Sequence, residues 1–134
     1  MKYKTKTIIY IVLTALFICD VTAQNFNGSW GTDDSNYYLT INGENFSTYK
    51  FTPNKSNNKE LKWNKVYSPG KEVFIKKEDN VIVTNYWIDE QEYYVKVTYT
   101  LINDQNMKAE FNGKLKGEFY YSVINYKKVK IEDR

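Results

Sequence analysis

The residues able to do chemistry are few in kind. The chain has 134 residues, no histidine and a single cysteine. It therefore has no His-dependent triad, no His metal cluster and no imidazole acid or base. One cysteine makes neither an internal disulfide nor a multi-Cys zinc site. Carboxylates remain, clustered at Asp33-Asp34, at Glu78-Asp79 and at Asp89-Glu90 with Glu92. Two carboxylates suitably spaced in the fold could cleave a glycosidic bond. Each of these clusters, however, lies in a segment of turn composition, where solvated acids are the ordinary outcome. No Asp-x-Asp-x-Asp-Gly run marks a calcium loop. The expectation is a protein without catalysis, metal or cofactor.

Aromatic side chains are the richer resource, with 13 Tyr, 7 Phe and 3 Trp in the chain. Tyr37, Trp63, Trp87, Tyr99 and Tyr121, with Asn85 nearby in register, offer π faces together with O–H, N–H and amide groups. Such a set suits a small apolar or aromatic ligand, or a sugar. The same rings could equally hydrogen-bond within a core.

Positioning these side chains falls to strands. Tyr37, Leu39 and Ile41 alternate with Tyr38 and Thr40. Tyr93, Val95, Val97, Tyr99 and Leu101 alternate with Lys96, Thr98 and Thr100. Asn42-Gly43 and Asn112-Gly113 are hairpin-turn dipeptides, and Ser68-Pro69-Gly70 is another turn. Pro53 to Asn58 has the composition of a polar loop. Segments at 28–32, 37–41, 44–52, 61–66, 71–77, 81–88, 93–102, 107–111 and 117–129 make about eight or nine strands joined by short loops, with no room for a crossover helix. The fold class is therefore all-β, an antiparallel up-and-down meander. Closing into a barrel removes exposed edges most simply; a β-sandwich is the alternative. The inward residues are mostly large, which favours a filled interior or a shallow site at one mouth.

Two segments are apolar on both faces. Val81, Val83 and Trp87 oppose Ile82, Tyr86 and Ile88, while Phe119, Tyr121 and Val123 oppose Tyr120, Ile124 and Tyr126. A solvated strand should be polar outside. An outer surface built on Tyr86, Ile88, Tyr120 and Tyr126 is thus expected to meet a second copy or a protein partner.

Residues 1–23 have the composition of a signal peptide. Lys2, Lys4 and Lys6 precede the apolar run Ile8 to Cys19, and Val21-Thr22-Ala23 presents small residues for cleavage. Lipoprotein processing at Cys19 would also tether the chain, but branched Ile18 stands where that peptidase prefers Gly, Ala or Ser. Cleavage after Ala23 removes three lysines, Asp20 and the cysteine, leaving residues 24–134 as one near-neutral domain. Such a domain has no membrane span and no electrostatic footprint for nucleic acid. It would be secreted or periplasmic. Arg134 is the only arginine, a codon-level mark of an AT-rich genome.

The stretch Asn25-Phe26-Asn27-Gly28-Ser29-Trp30 resembles the Gly-x-Trp opening of the calycin superfamily, which includes lipocalins, fatty-acid-binding proteins and avidins. The match falls on Gly28 and Trp30, with Phe26 as a companion, and the meander over the remaining chain fits it. The resemblance implies a barrel in which the glycine lets the first strand bend and the tryptophan packs across one end. Lipocalins usually set an arginine from the last strand against that tryptophan; here only Lys127 or Lys128 could substitute. The lipocalin disulfide is absent, and no avidin biotin-contact pattern follows the opening. The length is closest to avidins or compact bacterial lipocalins. By this resemblance the function is binding of a small apolar or aromatic ligand. The alternative is an envelope or extracellular protein-interaction module (inhibitor, adhesin accessory or oligomeric component) with a filled barrel.

Overall fold

Alternation resolves into nine antiparallel strands in a computed structural model that describes residues 25–55 and 61–131. They are β1 (Gly28–Gly31), β2 (Tyr37–Asn42), β3 (Asn45–Lys55), β4 (Leu61–Tyr67), β5 (Lys71–Glu78), β6 (Val81–Ile88), β7 (Tyr93–Asn103), β8 (Asn106–Leu115) and β9 (Glu118–Val129). One 3₁₀ turn, Asp89–Gln91, is the sole helical element among the described residues. The expected leader, with Cys19, lies outside the described residues.

All nine strands belong to one sheet, ordered β4-β3-β2-β1-β9-β8-β7-β6-β5. β1 pairs with both β2 and β9, tying the first strand to the last. The sheet is strongly rolled. Trp30, Leu39 and Ile41 from one flank share a single buried cluster with Ile82, Leu101 and Met107 from the other. A flat sheet would hold β2 and β6 several strand spacings of ~4.8 Å apart, so only curvature brings these side chains together.

Closure stops short of a full ring of ladders. Among the described residues β4 and β5 share no strand pairing, so the sheet keeps two edges. Ser68-Pro69-Gly70 joins them, and four Cα steps hold Tyr67 and Lys71 within about 14 Å. Ser68 stitches the flanks: its N–H donates to the Thr48 carbonyl at 2.8 Å, and its hydroxyl pairs with the Tyr86 hydroxyl at 2.7 Å. The edges are blunted by means other than pairing. β5 carries a register shift between Phe74 and Lys76, and lysines punctuate both edge strands. Bulges and lysines are common protections of a free edge.

Three local expectations change. The hairpin after β2 turns on Gly43 and Glu44, because Asn42 already pairs with Asn45 and Gly43 alone takes a positive φ, 61°. Asn112-Gly113 is no turn; it lies inside β8, paired with Lys96 and Val95. The reversal comes instead at Lys116-Gly117, whose φ values of 53° and 78° suit a two-residue hairpin. Pro53 and Lys55 extend β3 instead of starting a loop. β2 ends opposite Lys50, so beyond that point β3 pairs with β4 only. A proline without an N–H is tolerated on such a one-sided stretch.

Candidate functional site

The interior divides between the two ends of the strands. At one end Trp30, Leu39, Ile41, Ile82, Leu101 and Met107 fill the space and are almost wholly buried. Trp30 anchors this end: its indole N–H donates to the Phe26 carbonyl at 2.9 Å, and Lys128, its cross-strand partner, holds Nζ 5.5 Å from the ring centroid. Gly28, two residues earlier, has φ +132°, and a Cβ there would meet Lys128 Cε at 2.9 Å. Lys127 points the other way and pairs with Asp33 at 2.9 Å.

At the opposite end the interior is an open cavity of about 770 Å³. Large inward residues had suggested a filled or shallow interior. The roll of the sheet overrides their size, and small side chains at Thr48, Ser35 and Ser68 line the space. Tyr86, Tyr93 and Tyr120 form a wall of edge-on rings, with centroids 5.9 Å and 5.2 Å apart in succession. Burial and neighbouring phenols push the Tyr93 hydroxyl well above its ordinary value; burial, first of all, does the same for Tyr126. With their hydroxyls so raised, Tyr93 and Tyr126 are neutral at ordinary pH.

Among the described residues one carboxyl lines the cavity, that of Glu72 on β5. Its Oε2 accepts two short hydrogen bonds, each 2.6 Å, from Thr84 Oγ1 on β6 and from Tyr99 OH on β7. Burial pushes the Glu72 carboxyl up from its ordinary value, opposed by those two hydrogen bonds. Around it the Tyr99 hydroxyl is raised, by burial and then by the Glu72 charge. Sequence reasoning missed Glu72. In Lys71-Glu72-Val73-Phe74-Ile75 the alternation invites Val73 and Ile75 inward, yet both are exposed while Glu72 and Phe74 turn in. No local signal marks Glu72, because its partners lie 12 and 27 residues away.

Of the residues expected at a ligand site, Tyr37 and Tyr99 line the cavity. The others do not join them. Asn85 and Trp87 stand on the outer side of β6, beside Tyr94 and Lys96 in a separate shallow depression. Tyr121 is exposed on the outer side of β9, its hydroxyl donating to Glu110 at 3.3 Å. Trp63 pairs with Pro53 on the outer side of β3 and β4, a face where Tyr38, Tyr49, Phe51 and Tyr67 pack together. There Lys65 covers the Tyr49 ring at 4.1 Å.

The expected outer contact surface is inverted. Tyr86, Ile88, Tyr120 and Tyr126 all face the cavity, and the outward residues are Phe119, Tyr121 and Val123, at 78%, 52% and 42% exposure. With both faces apolar, alternation cannot orient a strand, and a shift of one residue swaps them. Here the pairing of Met107 with Tyr126 and of Ile82 with Tyr99 sets the orientation.

The acidic clusters are surface features. Asp33 meets Lys127, Glu78 lies 3.9 Å from Lys76, and Asp89 accepts from Tyr94 at 3.1 Å. Among the described residues no three His, Cys, Asp or Glu side chains are grouped to hold a metal, and no helix is long and apolar enough to cross a membrane. Comparison of the chain with family models, with curated proteins and with solved structures gave no match.

Proposed function

We propose that the protein is a secreted or periplasmic lipocalin-like module that binds a small, mostly apolar or aromatic ligand without chemical change. The observation that carries this reading is the aromatic-walled cavity of about 770 Å³, a volume typical of small-molecule sites. The other end of the interior supports it. Trp30 is fully buried there beneath Lys128, the position where a lipocalin would carry arginine. On this reading the rolled sheet is a calycin-like barrel whose last seam, between β4 and β5, is bridged by Ser68.

The test is titration of the protein with a panel of hydrophobic, aromatic and sugar ligands, following tryptophan fluorescence and heat. Binding by the wild type and its loss in Thr48→Trp, which places an indole in the cavity, is the expected outcome. Silence throughout the panel sinks the reading.

A second reading, a protein-interaction module, is favoured by the apolar outer stripe Phe119, Tyr121 and Val123 on β9. Sedimentation at high concentration checks its self-association form. A strict monomer removes it, whereas association that disappears in Phe119→Ser retains it.

A further inference from the structure

We propose that Glu72 is the docking point for one protonated amine, so that the ligand is an alkylammonium carried on an aromatic or apolar body. This deepens, and rests on, the reading of the cavity as a ligand site.

The hydrogen-bond geometry is lopsided. Both donors, Thr84 and Tyr99, address Oε2, and among the described residues Oε1 receives none. Nor does any described lysine lie within 4 Å of this carboxylate. A largely buried carboxylate oxygen without a donor is costly, and a ligand N–H can supply what the protein does not. Tyr86 and Tyr99 line the same space, and their rings favour a cation nearby. An ammonium therefore meets both a charge and π faces, whereas a hydroxyl would satisfy only the hydrogen bond.

Among the described residues the other ionisable groups facing this space leave Glu72 as its one carboxylic acid. Tyr37 on β2, Tyr86 on β6, Tyr99 on β7 and Tyr126 on β9 are phenols, and among the described residues Lys50 on β3 is the one lining cation. Lys50 lies near Tyr37, its Nζ 5.8 Å from a ring that is half exposed. A second positive charge on the ligand would meet that lysine, so a monoamine fits best. Burial raises the Glu72 carboxyl, and an ammonium beside it acts in the opposite direction, favouring the carboxylate.

The experiment compares tryptamine, its neutral counterpart tryptophol and the acid indole-3-propionate by titration calorimetry. Tryptamine is expected to bind roughly ten- to hundredfold more tightly than tryptophol. Glu72→Gln, which keeps an acceptor for Thr84 and Tyr99, should erase that preference. Wild-type titrations at mildly acidic pH, where part of the carboxyl still carries its proton, in buffers of differing ionisation heat should show proton release on binding tryptamine and none on binding tryptophol, a test that needs no substitution. Tryptophol or the acid binding as well as tryptamine overturns the amine assignment and leaves the cavity a ligand site. The amine assignment also falls if tryptamine is silent while another panel ligand binds. Silence of every ligand overturns both readings.

Discussion

Phe46 on β3 and Tyr99 on β7 stack with ring centroids 5.4 Å apart and planes inclined by 21°. In the sheet order β2, β1, β9 and β8 stand between their strands. This contact spans the interior, and it joins the filled end to the cavity, since the Tyr99 hydroxyl also holds Glu72. The pair is thus a measure of how firmly the roll is held.

Removing one ring should loosen the roll without unfolding the sheet. Phe46→Ala is expected to cost about 2 kcal/mol, from lost apolar burial and the stacking contact. A double-mutant cycle with Tyr99→Ala, read by urea denaturation, should return a coupling of roughly 0.5–1.5 kcal/mol. A coupling of zero would mean the rings do not support one another.

Trp30 should be the costliest single aromatic at the filled end. It is wholly buried, and its indole N–H satisfies the Phe26 carbonyl. Trp30→Ala is expected to lose about 3–5 kcal/mol. Trp30→Phe should lose less, about 2 kcal/mol, since it keeps most of the volume but orphans that carbonyl. Thermal melts of the two variants distinguish packing from the hydrogen bond.

Two glycines near one hairpin should respond in opposite degree. At Gly113 an added Cβ would run into the Tyr94 carbonyl oxygen, a backbone atom that cannot swing aside. At Gly117 nothing lies within 4 Å, and only the φ of +78° resists substitution. Gly117→Ala is expected to cost about 1 kcal/mol. Gly113→Ala should cost at least about 2 kcal/mol and separate β7 from β8 locally. Amide exchange at Val95 reads the second effect.

Glu72 should make stability depend on pH in a defined direction. Its folded-state carboxyl is raised above the ordinary glutamate value by burial. Below the ordinary value both folded and unfolded states hold the proton, and no penalty exists. As pH rises through the interval between the two values, the unfolded state ionises first and the folded state loses stability. The loss is about 1.4 kcal/mol for each pK unit separating the states. Glu72→Gln should therefore be more stable than the wild type at neutral pH, with the difference vanishing on acidification. Denaturation midpoints from pH 4 to pH 8 check it, and an unchanged difference across that range contradicts the assignment.

Local patterning determined much of the architecture. Clean alternation in Tyr93 to Leu101 fixes both strand and inward face, because its opposite positions carry lysine and threonines. The resemblance at Gly28 and Trp30 pointed to a bend in the first strand and a ring packed at one end; Gly28 has φ +132° and Trp30 is wholly buried. Where both faces are apolar, as in β6 and β9, period two carries no orientation. The pairing with β7 and β8 had to choose, and it turned Tyr86, Ile88, Tyr120 and Tyr126 inward. Asn112-Gly113 looks like a turn because its residue types tolerate one; close approach of β7 uses the same glycine for another purpose.

The candidate site was the least visible part. The sequence determined an all-β meander with abundant tyrosine and no histidine chemistry. Only the rolled sheet decided that the interior is filled at one end and hollow at the other. Volume depends on curvature, which no run of residues encodes locally. The inward turn of Glu72 was decided in the same way. A carboxyl is stable there only because Thr84 and Tyr99, remote in sequence, bring hydroxyls to one of its oxygens. Long-range donors can reverse the polarity that alternation assigns to an edge strand, because satisfying a buried polar atom outweighs exposing Val73 and Ile75.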